Sequence, residues 1–368
     1  MIYLDYNATS PLREAAFAAM AEVLRAPGNP SSIHRDGRQA RRRVEEARET
    51  IASIINAPSG GVIFTSGGTE ANNLALTAFP GRRILASAVE HPSILKGKVD
   101  GIVPVDRHGV IDLAALDEML AADPRPALLA LMLANNETGV IQPVAEAAAL
   151  AHRRGALVHG DAIQAFGKIA VDMIALGLDS LSLSAHKIGG PQGIGAFVLA
   201  DADADVQSLL VGGGQERRHR AGTENVAGIV GFAAAAADLG DIAAEAERLG
   251  ALRDRIERRA LDSLPGITIF GRKVGRLPNT SCLALPGVPA QTILMALDLA
   301  GFGVSSGSAC SSGKVSSSPV LTAMGEEKLG ASAIRISLGW ATTEAEIESF
   351  LGQFVLIAER LLREHKAA

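Results

Sequence analysis

Lys187 stands in Leu181-Ser-Leu-Ser-Ala-His-Lys-Ile-Gly-Gly-Pro-Gln-Gly-Ile-Gly195, where an apolar alternation gives way to a Gly/Pro-rich loop. That pattern predicts a strand ending near Ser184, with His186 and Lys187 just past its carboxyl end. Ligands of open α/β sheets bind beyond the carboxyl ends of strands. A lysine held there in a partly dry crevice loses proton affinity and becomes a usable amine nucleophile. A His-Lys pair in a turn is ordinarily a solvated surface feature, so its reading depends on what accompanies it. After Phe64-Thr65 comes Ser66-Gly67-Gly68-Thr69-Glu70, opening a helical Ala-Asn-Asn-Leu-Ala-Leu. Small residues there let the backbone approach an anion while the helix N-terminus offers free N–H groups. Glu90-His91, Asn135-Asn136-Glu137-Thr138-Gly139 and Asp161-Ala-Ile-Gln164 follow the next three predicted strands that end in polar residues. Each alone reads as a cap or a turn. Gathered with Lys187 at one edge of a sheet, they read as a crevice site.

A phosphate cradle, a nucleophilic lysine, a carboxylate and a flat ring partner are together what pyridoxal 5'-phosphate needs. It requires a lysine to hold it, an anion to keep its pyridine nitrogen protonated, and groups that fix ring and phosphate. A nucleotide site is disfavoured, because the Gly-Lys-Ser/Thr ending of a P-loop is missing and the glycines near Lys187 lack dinucleotide spacing.

The elements that must position these residues are short apolar strands alternating with helices. The expected strands are Val62 to Thr65, Ile84 to Ser87, Leu128 to Leu133, Leu157 to His159, Leu181 to Ser184 and Gly195 to Leu199. Such alternation implies an α/β fold with a mostly parallel sheet covered by helices. Ser10-Pro11 reads as an N-cap and first turn of a helix that Pro27-Gly28 ends. Another helix, Arg38 to Ile55, carries Arg41, Arg42 and Arg43 facing Glu45 and Glu46. After Asn225 an Ala-rich helical stretch runs to about Leu264. Beyond it lie short strands (Thr268 to Phe270, Ser281 to Leu285, Ile334 to Ser337) and helices at Ala290 to Leu299 and Thr343 to Glu364. Thr343 and Glu346 form a capping box. The expected division is a large domain over residues 11–250 and a smaller α+β domain over 251–368, joined by segment 1–10.

The net charge of −5 over 368 residues argues against nucleic acid or an acidic membrane surface as main partner. Two distant cysteines, Cys282 and Cys310, make neither a disulfide framework nor a metal site, and predict a reducing compartment. No basic n-region and apolar stretch opens the chain, so a cytoplasmic location is expected.

With its motifs Thr65-Ser-Gly-Gly-Thr-Glu-Ala-Asn-Asn, Asn135-Asn-Glu, Asp161-Ala-Ile-Gln, Ser184-Ala-His-Lys and Ser305-Ser-Gly-Ser-Ala-Cys, the chain resembles the cysteine desulfurases of the class V aminotransferase family. The likeness runs from Tyr3 to Trp340 and falls in the group with a long cysteine-bearing loop. It implies a fold-type I pyridoxal phosphate enzyme in which Lys187 holds the cofactor, Asp161 pairs with the pyridinium nitrogen, Gln164 bonds the ring hydroxyl and His91 stacks on the ring. Thr69, Ser184 and His186 would hold the phosphate with backbone from Gly68, and Thr223 of a neighbouring subunit would complete it in a homodimer. Asn136 would lie beside the substrate, L-cysteine, and Arg335 would clamp its carboxylate. Cys310, in a Ser/Gly-rich stretch, would take the sulfur as a persulfide and pass it to an acceptor protein such as an iron–sulfur scaffold. Cys282, in the apolar Ser-Cys-Leu-Ala-Leu, fits packing. His91 is the expected acceptor of the substrate thiol proton. Arg217 and Arg218 read as a solvated basic loop. The loop after Cys310, Ser-Ser-Gly-Lys-Val-Ser-Ser-Ser-Pro, departs from the Thr-x-x-x-Leu-Glu-Pro commoner among close relatives. Selenocysteine lyase or transaminase chemistry on the same lysine, and a non-catalytic sulfur carrier, are the alternatives.

Overall fold

In the computed structural model, which describes residues 1–306 and 318–367, the apolar runs become strands buried on both faces. Strand β1 (Ile2–Tyr3) stands apart from the central sheet. That sheet holds, among the described residues, β2 (Val62–Thr65), β3 (Arg83–Ser87), β4 (Gly101–Val103), β5 (Ala127–Met132), β6 (Leu157–Asp161), β7 (Ser180–Ser184) and β8 (Gly195–Leu199). Their order is β2-β8-β7-β6-β5-β3-β4. Strand β8 runs antiparallel to β7 and β2, and the other pairs are parallel. The carboxyl ends of β2, β3, β5, β6 and β7 therefore meet at one edge.

Continuous apolar runs suit such a sheet because helices cover both faces. Ile63 and Phe197 pack against Leu74 of the helix Gly68–Ala78. On the other face Phe64 and Val198 share a core with Val44 and Ile51 of the helix Arg35–Ile54 and Phe232 of the helix Val226–Ala237. The unpredicted β4 is a three-residue edge strand whose Ile102 is exposed, too short and too wet to leave a pattern. The Ala-rich stretch is two helices, Val226–Ala237 and Ile242–Ser263, bent by 78°. Gly240 turns the chain at φ 67, and Asp241 accepts from the N–H groups of Ala243 and Ala244 to start the second helix. Among the described residues no single helix is long and apolar enough to cross a membrane.

Ser10 does not cap a helix. Its Oγ donates to the Lys187 carbonyl at 2.9 Å, and the helix begins later, at Glu14. Arg42 pairs with Glu46 at 3.2 Å as its spacing predicts, whereas Arg43 reaches Glu22 on the neighbouring helix. The expected capping box is formed: the Glu346 N–H donates to Thr343 Oγ1 and the Thr343 N–H to Glu346 Oε2, at 3.3 and 2.8 Å.

A second core gathers Leu249 and Ile256, Ile293, and the Ile347, Phe350, Leu351, Phe354, Ile357, Leu361 stripe of the helix Glu344–Ala367. It lies on an antiparallel sheet of β9 (Thr268–Ile269), β10 (Thr280–Ala284), β12 (Ser305–Ser306) and β13 (Ala333–Ser337), in the order β12-β13-β10-β9. Strand β1 pairs with β11 (Phe302–Gly303), and Leu4 joins this second core. The N-terminal segment thus leaves the second core and crosses the site edge of the first.

Candidate active site

A cavity of about 230 Å³ opens at the shared strand edge. Gly68 and Thr69 follow β2, His91 and Ser93 follow β3, Asn136 follows β5, Asp161 ends β6 with Ile163 and Gln164 beyond it, and Ser184, His186 and Lys187 follow β7. All of them line it, together with Asn7, Ala8, Met132, Ala134 and Arg335.

At one end the helix Gly68–Ala78 starts at Gly67, whose φ of 152 favours glycine, and no side chain caps it. Its first N–H groups are thus available to an anion. A Cβ on Gly68 would meet the end of the Ile163 side chain, which would have to turn away. Arg220 holds Glu70 with contacts of 2.9 and 3.3 Å, and Glu70 accepts from the Ser66 N–H at 2.8 Å. Both the acid and its partner are thereby drawn into one local pair beside the turn. Burial, with Lys187 and Lys168 nearby, pushes His186 down to about 4, so the ring is neutral near pH 7. Its Nδ1 lies 3.1 Å from Thr9 Oγ1.

In the middle, Asp161 is buried. Its Oδ2 accepts from Asn72 Nδ2 at 2.7 Å and its Oδ1 from the Ile163 N–H at 2.9 Å. Burial raises its pKa, opposed by those two donors and by His91 and Lys187. His91 begins the short helix Pro92–Leu95, its Nδ1 accepting from the Ser93 N–H at 3.1 Å. Burial, then Lys187, lower its pKa against the pull of Asp161. Glu90, next to it, is buried with Oε1 accepting from the Met132 N–H at 2.6 Å. Burial, then the Asp161 charge, raise its pKa well above the ordinary range.

The far end is organised by Asn7, which sequence reasoning did not single out. Lys187 Nζ donates to the carbonyls of Asn7 and Ala8, both at 2.7 Å. Gln164 Nε2 donates to the Asn7 carbonyl at 2.9 Å, and the buried Lys168 donates to Gln164 Oε1 at 2.5 Å and Asn7 Oδ1 at 3.0 Å. Asn7 Nδ2 in turn donates to Thr280 Oγ1 at 2.8 Å and the Asn136 carbonyl at 3.2 Å. One asparagine therefore joins both cores to the lysine. Burial, then Lys187 and Arg335, push the Lys168 pKa well down. Arg335 donates from Nη1 to the Asn136 carbonyl at 3.0 Å and from Nη2 to Asp5 at 2.7 Å, while its buried Nε has no partner among the described residues. A buried unpaired donor is costly, and a ligand carboxylate is the natural acceptor for it. The Gln164–Lys168 spacing, i to i+4 after Asp161, was the only available sequence signal for Lys168.

A family model described as aminotransferase class-V matches residues 2–350. The chain belongs to the class-V aminotransferase family. A cysteine desulfurase from Cereibacter sphaeroides is 44% identical over 98% of this chain and 96% of its own length. Among solved structures, a NifS-like protein from Rickettsia africae matches with a TM-score of 0.91 at 36% identity, covering 98% of this chain and 99% of that one. Another, SspA solved in complex with cysteine, matches at 0.80 with 28% identity over 92% and 99%. Family membership implies pyridoxal phosphate, and the donor set suits it: an uncapped helix start for a phosphate, a buried carboxylate for a pyridinium and a lysine on the same cavity.

One expected residue among those described stands elsewhere. Thr223 is exposed and lines a separate hollow with Phe64, Gly193 and Arg220 rather than this cavity. Cys310 lies outside the described residues. Cys282 is fully buried among Val89, Met132 and Phe270, and burial together with Glu137 pushes its thiol far up. Arg217 and Arg218 are exposed, as a solvated loop requires, although Arg217 also faces Glu45 at 3.6 Å.

Proposed function

We propose that this chain is a pyridoxal-phosphate-dependent cysteine desulfurase, converting L-cysteine to L-alanine and leaving the sulfur as a persulfide on Cys310. The observation that carries the reading is the meeting of Lys187, Asp161, the uncapped start of the Gly68 helix and the unpartnered Nε of Arg335 on one cavity. When bound, the cofactor supplies an electron sink for charge developing at the substrate Cα. Thr69, Ser184 and His186, with backbone at Gly68, would hold its phosphate, Asp161 its ring nitrogen and Gln164 its ring hydroxyl, and His91 would be its ring partner.

Arg335 takes the substrate carboxylate beside Asn136. Its planar fork suits two parallel bonds, and binding there fills the donor that the protein leaves unpaired. Lys187, the residue that would hold the cofactor, would take the Cα proton at its Nζ. The Cys310 thiolate attacks the substrate sulfur. An S–S bond forms, the substrate C–S bond breaks, and that electron pair stays with carbon. Support for the reach of Cys310 comes from its anchors. Ser305 on β12 pairs with Arg335 on β13, and Ser318 donates to Glu137, beside Asn136.

Thr223, exposed and three residues beyond the Arg220 that pairs with Glu70, supports a homodimer in which it completes the partner's phosphate site. The exposed Leu209, Leu210 and Val211 next to it fit such a contact. The separate cores support a large domain over 11–250 and a small one over 251–368 that takes in segment 1–10. A cytoplasmic desulfurase would pass the persulfide sulfur to an acceptor such as an iron–sulfur scaffold. The test mixes wild type and Cys310→Ser with L-cysteine while cofactor absorbance and alanine release are followed. Both proteins should be yellow and respond spectrally to cysteine, and only wild type should release alanine. Equal alanine release by Cys310→Ser would refute the persulfide step and favour the lyase reading, and a colourless protein would refute the cofactor.

A further inference from the structure

We propose that Asn72 is a positioning residue for both cofactor-facing groups: it holds Asp161 as a hydrogen-bond acceptor and, through Ser93, holds neutral His91 with its proton on Nε2. This rests on the assignment of Asp161 and His91 to the cofactor. Asn72 is fully buried on the helix Gly68–Ala78. Its Nδ2 lies 2.7 Å from Asp161 Oδ2 and 2.9 Å from Ser93 Oγ, and Ser93 Oγ lies 2.8 Å from His91 Nδ1. On the other side Asn72 Oδ1 lies 3.3 Å from Nε2 of the buried His159.

Taken as heavy atoms, such a chain could run in either direction, because the amide and both rings can be turned over. One link cannot reverse. The backbone N–H of Ser93 points to His91 Nδ1 at 3.1 Å, and a peptide nitrogen only donates. His91 Nδ1 is therefore an acceptor, and the neutral ring carries its proton on Nε2. The Ser93 hydroxyl must then donate to Nδ1 as well, which leaves its oxygen to accept from Asn72. That places the Asn72 NH2 toward Ser93 and Asp161, so Asp161 Oδ2 accepts. Asn72 Oδ1 accepts from His159 Nε2–H, and His159 Nδ1 accepts from the Ser180 hydroxyl at 2.9 Å. A single fixed peptide group thus orients a relay ending at both ring partners. Two consequences follow for the chemistry. Asp161 is kept ready to receive a pyridinium N–H. His91 enters the reaction as a proton donor at Nε2, so the acceptor of the substrate thiol proton is not neutral His91, contrary to the expectation drawn from the family likeness.

The test uses protein labelled with ¹⁵N-histidine, with and without cofactor, the His91 signal being identified by its loss in His91→Gln. Ring nitrogen shifts above pH 8 report the tautomer directly. Wild type should show Nε2–H, and an Nδ1–H ring would overturn the proposal. Ser93→Ala should move the averaged tautomer ratio about fivefold toward Nδ1–H, the effect of one lost hydrogen bond, while pyridoxal phosphate affinity stays within about twofold. Asn72→Ala should weaken pyridoxal phosphate about tenfold and shift the tautomer too, whereas a general structural role would weaken the cofactor equally in both variants. Equal loss of affinity in both, or no tautomer shift in Ser93→Ala, refutes the relay. If wild type binds no pyridoxal phosphate, the cofactor assignment fails, and the tautomer in cofactor-free protein still decides the direction of the relay.

Discussion

Removing His159 should flatten the acid side of the stability profile. Burial pushes this ring from 6.5 down to about 3, and its hydrogen-bond partners among the described residues, Ser180, Ser182 and Asn72, are neutral. Between pH 6.5 and 3 the unfolded chain binds a proton that the folded chain refuses, so folding stability falls as pH falls through that window and is restored above it. At pH 5 this one group costs about 2 kcal/mol relative to pH 8. For 368 residues that is about 2–3 °C in apparent melting temperature. The assay compares melting of wild type and His159→Gln at pH 8, 6.5 and 5. The variant lowers stability at every pH through lost packing, yet its drop between pH 8 and 5 should be smaller than wild type's by that amount. Glu90 and Asp161, whose raised values act in the opposite sense, are common to both proteins and cancel in the difference. Parallel curves would show that His159 is protonated in the folded protein, and the neutral relay through Asn72 would lose its foundation.

Arg335→Lys should raise the KM for cysteine about 10- to 100-fold, since at least one charge-assisted bond to the carboxylate is lost, with the resting cofactor spectrum unchanged; an unaltered KM in steady-state alanine release would remove Arg335 from the substrate site. Gly68→Ala should release cofactor on dialysis, because its Cβ would strike Ile163; full retention, read by absorbance, would mean the wall yields. Arg48 and Glu216 are buried at 3% and 2% side-chain exposure with a contact of 2.9 Å. Glu216→Gln should therefore destabilise by about 3–5 kcal/mol in urea titration, and a change under 1 kcal/mol would mean water reaches Arg48. A thiol reagent at neutral pH should find Cys282 unreactive until denaturant is added, given its burial; rapid labelling in native Cys310→Ser would contradict the packing role.

The strand-end residues were legible because a parallel sheet needs none of the missing information to gather them. Once Val62–Thr65, Leu128–Leu133 and Leu181–Ser184 read as strands, their polar successors had to share an edge, and the expected residues that the structure describes, Thr223 excepted, line one cavity. Helix stripes and the Thr343–Glu346 box were legible for the same reason, being set by contacts three or four residues apart. Ser10 misled because its local pattern is that of a cap while its actual partner is the carbonyl of Lys187, 177 residues away. Edge strand β4 had too little buried surface to leave a period.

What residue types and spacing determined, then, was the chemistry present and the edge where it collects. Tertiary structure alone decided how those groups are held: Asn7 spanning both cores to reach Lys187, Lys168 buried beneath Gln164, Arg335 left with an unfilled donor, and Asn72 aligned between Asp161 and Ser93. Each depends on where one buried polar atom finds its partner across a long stretch of chain. Such pairing is enforced by the cost of an unmet hydrogen bond in a dry interior, and that cost has no periodicity along the sequence from which to read it.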